Sequence, residues 1–321
     1  MRTEARYVRR RRTAGASILC LVLAAVAAIV LSDGGGGGAR HPPVASRRIA
    51  TRRAVVHNGP RGTEAVPILI YHVILAAPPG APFPGLYVTP ALFAEQMHAL
   101  AAAGYHAVTM DEVWNNWNHG TPLPRGKPIV ISFDNGYATQ YTAALPVMRS
   151  LGWVGVENLQ LSGLPPSQGG LSRRQVRALV SDGWELDTQG FSHADLITLS
   201  PSALHFQVAV ARTTIRDRYH VAANWFCYPS GHYNATVIAA VKAAGFRGST
   251  TVVRAWANPR EDPYRLPRLE VLAGTAPASL LSDIDGFRDA PAPGPSYPPA
   301  CRAAAGWGSR WRQRSCSGWL R

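Results

Sequence analysis

The side chains able to do chemistry gather in three short segments. The first is Ile131-Ser132-Phe133-Asp134-Asn135-Gly136-Tyr137. The second is Glu185-Leu186-Asp187-Thr188-Gln189-Gly190-Phe191-Ser192-His193, and the third Phe226-Cys227-Tyr228-Pro229-Ser230-Gly231-His232-Tyr233-Asn234. Asp134 and His193 are the ionisable residues of interest, because a carboxylate and an imidazole both move protons and both bind divalent ions. Asn135 and Gln189 add neutral amides beside them. Each residue also has a structural reading. Asp134 would cap a helix beginning near Tyr137, Asn135 would start the turn, and Gln189 would be a structural or solvated amide. His193 would serve nearby backbone, and Tyr228, Pro229 and Gly231 would form a tight turn.

These segments need elements to position them. Val66 to Tyr71 is a short apolar run of strand length, and Pro128 to Phe133 reads as a buried strand ending at Asp134. Further strands are expected at His106 to Thr109, Trp153 to Asn158, Glu185 to Asp187, Asn224 to Tyr228 and Phe246 to Val252. Helical spacing is expected over Pro90–Ala103, Met110–Trp117, Tyr137–Ser150, Leu171–Val180, Pro201–Tyr219, Ala235–Ala244 and Pro277–Asp285. Strands alternating with helices predict a parallel sheet, and about seven such units predict a distorted (β/α)7-type barrel. Parallel barrels carry their chemistry at the C-terminal strand ends. That rule selects Asp134, Asp187 to His193, and Tyr228 to Gly231.

The three segments resemble the first three motifs of the polysaccharide deacetylases, the NodB-like domain of carbohydrate esterase family 4. The family pattern is Thr/Ser-Phe-Asp-Asp-Gly, then His-x-x-x-Ser/Thr-His, then an aromatic-Tyr-Pro-x-Gly turn. Tyr71-His72, Gln96-Met97 and Leu266-Pro267-Arg268 extend the likeness over roughly residues 66–286. The resemblance implies that Asp134 is the general base and that His193 is one ligand of a divalent metal, usually zinc-like. Asn135 stands where the family has its metal-binding Asp, and Gln189 where it has its first His. Many members take their general acid from a late Leu-x-His motif, which Ser279 to Asp283 lacks, but a subset takes it from an early Tyr-His motif. Tyr71-His72 resembles that variant, which makes His72 the candidate for protonating the leaving amine. Tyr228, Pro229 and Gly231 are expected to shape one wall of a substrate groove, with Arg268 orienting the base. His72 as a packing residue and Arg268 as an ordinary ion-pair partner are the plainer readings.

The charge of +14 lies at the ends of the chain. Residues 1–53 carry +9 and residues 301–321 carry +5, which leaves 54–300 neutral. A neutral core gives no basic footprint for nucleic acid. Arg9 to Arg12 precede 20 uncharged residues, Thr13 to Ser32, enough to cross a hydrocarbon core of roughly 30 Å as a helix. Arginines on that side place the N-terminus in the cytoplasm and the remainder outside. A signal peptide cleaved near Val30-Leu31-Ser32 is the rival.

The expected organisation is a basic cytoplasmic segment (1–12), a transmembrane anchor or signal peptide (13–32) and a flexible linker (33–63). A deacetylase-like domain (64–289) and a basic, Trp-containing tail (290–321) follow. The expected location is the extracytoplasmic face of a membrane, or outside the cell if the segment is cleaved. There Cys301 and Cys316 would be free to pair, while Cys227 reads as a buried small hydrophobe. The resemblance implies hydrolysis of N-acetyl groups on a GlcNAc-containing cell-wall or exopolysaccharide. A catalytically impaired homologue that binds such a glycan and a wall-spanning tether are the alternative functions. Oligomeric state is not readable from the sequence.

Overall fold

The computed structural model describes residues 59–164 and 169–296. The expected anchor, most of the linker, Cys301, Cys316 and the tail beyond residue 296 lie outside them. Among the described residues no helix is long and apolar enough to cross a membrane.

In chain order the strands are β1 (Ile68–Tyr71), β2 (Val73–Ile74), β3 (Tyr87–Val88), β4 (Tyr105–Ala107) and β5 (Lys127–Asn135). β6 (Val156–Leu159), β7 (Glu185–Thr188), β8 (Trp225–Cys227), β9 (Gly248–Thr250) and β10 (Leu269–Glu270) follow. The α-helices are α1 (Pro90–Ala102), α2 (Met110–His119), α3 (Leu145–Ser150) and α4 (Arg173–Ser181), then α5 (Pro201–His205), α6 (Ala211–Tyr219), α7 (Ala235–Ala243) and α8 (Pro277–Gly286). Local chemistry fixes their starts. Thr109 Oγ1 accepts the Glu112 N–H while Glu112 accepts the Thr109 N–H, a reciprocal cap that begins α2, and Ser172 with Gln175 begins α4 in the same way. Pro90, Pro201 and Pro277 occupy first turns, where a missing N–H costs nothing.

Eight of these strands form one parallel sheet in the order β10-β1-β5-β6-β7-β8-β9, with β4 added beside β5, and β2 pairs with β3 in a separate two-stranded parallel sheet. The larger sheet curls, and its two edges meet through an isolated parallel bridge, Thr250 to Leu266. The α/β fold expected from the alternation is therefore present, its parallel sheet curled into a half-barrel whose edges are joined by that short span. Two differences stand out. The expected helices 137–150 and 201–219 each contain a π-helical turn, Gln140–Ala144 and Phe206–Val210. The two-residue strand β10 carries too little pattern to be read from sequence.

Alternation along each strand sorts the side chains. Ile68, Val130, Val156, Trp225 and Leu266 pack together inside the lower barrel. Leu69, Tyr71, Ile131, Phe133 and Leu269 point outward against α1, α3, α8 and Trp184. Below the inner cluster lies an acidic group. Asp111 accepts hydrogen bonds from Asn224 Nδ2 at 2.7 Å, Trp225 Nε1 at 3.1 Å and Arg247 Nη1 at 2.8 Å. Glu185 accepts the Asp111 N–H, and Asp187 accepts the Trp225 N–H. Asp187, which the strand-end rule placed among the chemical residues, belongs to this cluster instead.

Burial and the neighbouring Asp187 charge push the Glu185 carboxyl well up, and burial raises Asp187 to about 7 against the help of its hydrogen bonds. The folded chain thus holds protons here that the unfolded chain releases. This stabilisation is present at low pH and is lost as pH rises from the usual carboxylate range through about 7. Asp187→Asn removes the Asp187 share of this titration. Urea unfolding midpoints should show the variant gaining on the parent by on the order of 2 kcal/mol between pH 5 and pH 8. A constant or shrinking difference would contradict the protonated pair.

Candidate active site

Three loops leave the C-terminal ends of β5, β7 and β8, and each carries a non-glycine residue in the left-handed region. Asn135 has φ 76°, His193 φ 53° and Ser230 φ 55°. Such conformations are costly outside glycine and persist where surrounding contacts impose them. The neighbouring glycines are required. Gly136 has φ 89°, and a Cβ there would lie 2.6 Å from Leu159 Cδ1. A Cβ on Gly231, at φ 71°, would overlap the Val252 side chain.

Asp134 is 2% exposed, at the inward face of the β5 end. Arg268, fully buried, grips it with two hydrogen bonds, Nη1 to Oδ1 at 2.8 Å and Nη2 to Oδ2 at 2.9 Å. Arg268 is itself fixed by donating to the Thr251 carbonyl and to Ser132 Oγ. Asn158 Nδ2 donates to Asp134 Oδ1 at 2.8 Å, and the Cys227 thiol approaches Oδ2 at 3.5 Å. Burial alone would raise this carboxyl, but the Arg268 charge and its hydrogen bonds win and hold it at about 2. Asp134 is therefore a permanent carboxylate at neutral pH. Its ion pair with Arg268 is compatible with both readings of that arginine, and a helix-cap bond from the Asp134 side chain is not among its contacts within the described residues.

The imidazoles lie within electrostatic reach. His72 follows β1, and burial lowers it to about 4 while the Asp134 charge opposes that fall. Its Nδ1 is enclosed without a hydrogen-bond partner among the described residues. His193 is likewise lowered by burial and partly restored by Asp134. Both are neutral near pH 7, ready to accept a proton and poor at donating one.

The residues at the family's metal positions are arranged differently from a metal cage. Gln189 is 3% exposed, and its Oε1 accepts the Asn135 N–H at 3.2 Å. Among the described residues no three His, Cys, Asp or Glu come together to hold an ion. One imidazole and two neutral amides, one amide oxygen already engaged, do not fit a zinc centre, which takes thiolate, imidazole and carboxylate ligands.

The expected groove wall needs correction. Tyr228 is fully buried, its ring stacked on Tyr233 at 5.1 Å and its hydroxyl donating to the Tyr264 carbonyl. Pro229 and Gly231 are buried as well. These residues support the mouth from behind, and Ser230 is the exposed member of the turn. His232 bonds Asp195 at 3.0 Å, joining this turn to the loop that follows His193.

Sequence reasoning missed several participants. Asn158 and Cys227 were not assigned to Asp134, and Cys227 is a buried thiol with polar neighbours: Arg268 Nη2 donates to its sulfur at 3.1 Å. Glu270 ends β10 in register with Ile70, on the inward face, and its carboxyl is raised by burial and by the Asp134 charge. The only signal for these was inward register, which short strands reveal once paired.

Removing Arg268 would leave a buried carboxylate unpaired, a loss of about 3–5 kcal/mol. Arg268→Met should lower the urea midpoint accordingly, and adding Asp134→Asn should recover a substantial part. A loss below about 1 kcal/mol would mean that the pair is solvated.

Comparison with known proteins agrees with this geometry. The family model described as polysaccharide deacetylase matches residues 123–249, which include all three motif segments. YxkH of Bacillus subtilis (strain 168), named for the same family, is 23% identical over 70% of this chain and 77% of its own. The Streptococcus pyogenes deacetylase PplD, solved in complex with acetate, superposes with a TM-score of 0.64 at 23% identity, covering 70% of this chain and 99% of that one. IcaB from Ammonifex degensii gives a TM-score of 0.59 at 19% identity, over 69% and 97%. The polysaccharide deacetylase BC0361 of Bacillus cereus gives 0.61 at 20%, over 69% of both chains. These likenesses show a shared fold. Over residues 123–249 the chain matches the polysaccharide deacetylase family, a likeness that points to a hydrolase.

Proposed function

We propose that this domain removes N-acetyl groups from GlcNAc units of a cell-wall or exopolysaccharide on the outer side of a membrane. The observation that carries this reading is the Asp134–Arg268 pair at the barrel mouth, with His72 and His193 within its field. Phe206, 43% exposed and packed on Phe191 at 4.5 Å, offers an apolar face beside the His193 loop of the kind a sugar ring covers. The arginine block and uncharged run at the N-terminus support a membrane-held position.

Hydrolysis of an acetamide adds water across the C–N bond, releasing acetate and leaving an amine. In this site Asp134, negative throughout the working range, stabilises positive charge that develops on a neighbouring imidazole, in place of the general-base role that the resemblance implies. His72, neutral with Nδ1 unengaged, accepts a proton from water and returns it to the leaving nitrogen. Burial favours neutral His72, so proton uptake is uphill and turnover is expected to be slow. Divalent-metal use is a property of the family, and no step is assigned to a metal in this donor set. The same two amides favour a second reading, in which the groove retains glycan without turnover.

Acetate release from N-acetylglucosamine oligomers by the full-length chain separates the two. Activity that falls at least ~100-fold in both Asp134→Asn and His72→Ala supports the hydrolase, a loss of the size general acid–base groups give. Oligomer binding with no acetate release supports the second reading. Release that survives both substitutions would contradict the assignment of these residues.

A further inference from the structure

The two π-helical turns share an unusual content. Each presents a buried glutamine that hydrogen-bonds backbone of the barrel mouth. Gln140 opens the turn Gln140–Ala144 and is fully buried. Its Nε2 donates to the His72 carbonyl at 2.9 Å and to the Asp134 carbonyl at 2.8 Å, so one amide ties the ends of β1 and β5 together. Gln207 lies in the turn Phe206–Val210 and is 7% exposed. Its Oε1 accepts the Phe191 N–H at 3.0 Å and the Ser192 N–H at 2.9 Å, while its Nε2 donates to Ser192 Oγ at 2.7 Å. That amide secures the loop in which His193 is left-handed.

The hydrogen-bond partners fix both amide orientations. Two carbonyls face Gln140, so its NH2 points at them, and two N–H groups face Gln207, so its oxygen does. A π turn carries one more residue than the α-helical repeat and rotates its side chains relative to the helix around it. Both helices thereby aim a long polar side chain at the mouth while their flanking turns stay packed on the sheet.

We propose that Gln140 and Gln207 are paired positioning residues, each aimed by its π turn, that set the two halves of the active site independently: Gln140 the His72–Asp134 half and Gln207 the His193 half. This rests on reading Asp134, His72 and His193 as the reacting groups. Backbone N–H and C=O groups at strand ends have no ladder partner, and an unpaired buried one is costly. The glutamines supply those partners and, with them, the geometry. Thr139, immediately before the first turn, adds a bond from the Ile74 N–H to its Oγ1 on the same half.

The partner chemistry makes the two positions answer differently to one substitution. Glutamate at 207 keeps an acceptor for both N–H groups. Glutamate at 140 turns acceptors toward two carbonyls. If the glutamines only filled space, the two changes would act alike.

The test uses the full-length chain with 15N-labelled histidine, its His72 and His193 imidazole signals assigned by single substitutions, alongside acetate release from N-acetylglucosamine oligomers. Gln140→Met should displace the His72 signal and leave His193 in place, and Gln207→Met should do the reverse. Each should lower kcat by up to ~100-fold with KM little changed, as misplacement by an ångström does. Gln207→Glu should restore the parent His193 signal and most of kcat, and Gln140→Glu should restore neither. The imidazole signals report positioning even if the parent releases no acetate, so failure of the deacetylase reading stays distinct from failure of this one. Two folded Met variants in which both imidazoles keep their parent positions would overturn the proposal. So would equal behaviour of the two Glu variants, which also decides the matter if the Met variants do not fold.

Discussion

Arg268 holding Asp134 inside the barrel is the constraint on which the mouth depends. A guanidinium and a carboxylate, each nearly without solvent, cost several kcal/mol apiece to bury. They persist because their hydrogen-bonding capacity is met by Ser132, Asn158, Cys227 and the Thr251 carbonyl. Those partners come from β5, β6, β8 and the segment after β9, so the pair also fixes how the strands of the curled sheet meet. Arg268 itself precedes β10 directly, and its N–H bonds the Val253 carbonyl near the weak closure of the barrel.

That arrangement sets the electrostatics of the site. A fixed negative carboxylate with its counter-charge locked behind it leaves a modest field for His72 and His193, and burial outweighs that field at both imidazoles. Glu270 and the buried Glu157 are pushed toward their neutral forms by burial and by the same carboxylate. Gln189, bonded to the Asn135 N–H, is neutral and makes no demand for a cation. The mouth thus holds one ion-paired carboxylate, and the acidic groups around it are shifted upward by burial and by its charge.

The order of strands and helices was legible because alternating apolar runs and capping residues are local signals. Thr109 with Glu112, Ser172 with Gln175, and Gly120 after α2 mark helix ends in the sequence itself. The three motif loops were legible through their glycines and the resemblance they carry. The π turns were not, since one added residue inside a helix leaves the apolar period nearly unchanged. Tyr228 was misplaced because an aromatic at a strand end reads equally as groove wall or as core, and its stacking on Tyr233 depends on a turn that sequence does not orient. Asn158, Cys227 and Glu270 were missed for one reason: inward placement follows from register between distant strands.

The central claim is that Arg268 keeps Asp134 ionised inside the barrel. Its most direct test is a carboxyl 13C titration of Asp134 in the folded chain from pH 7 to pH 3. The account predicts that Asp134 stays ionised across that range, in line with a value of about 2, while unpaired aspartates protonate near 4. Protonation of Asp134 at pH 4 or above would show that the ion pair does not govern the site.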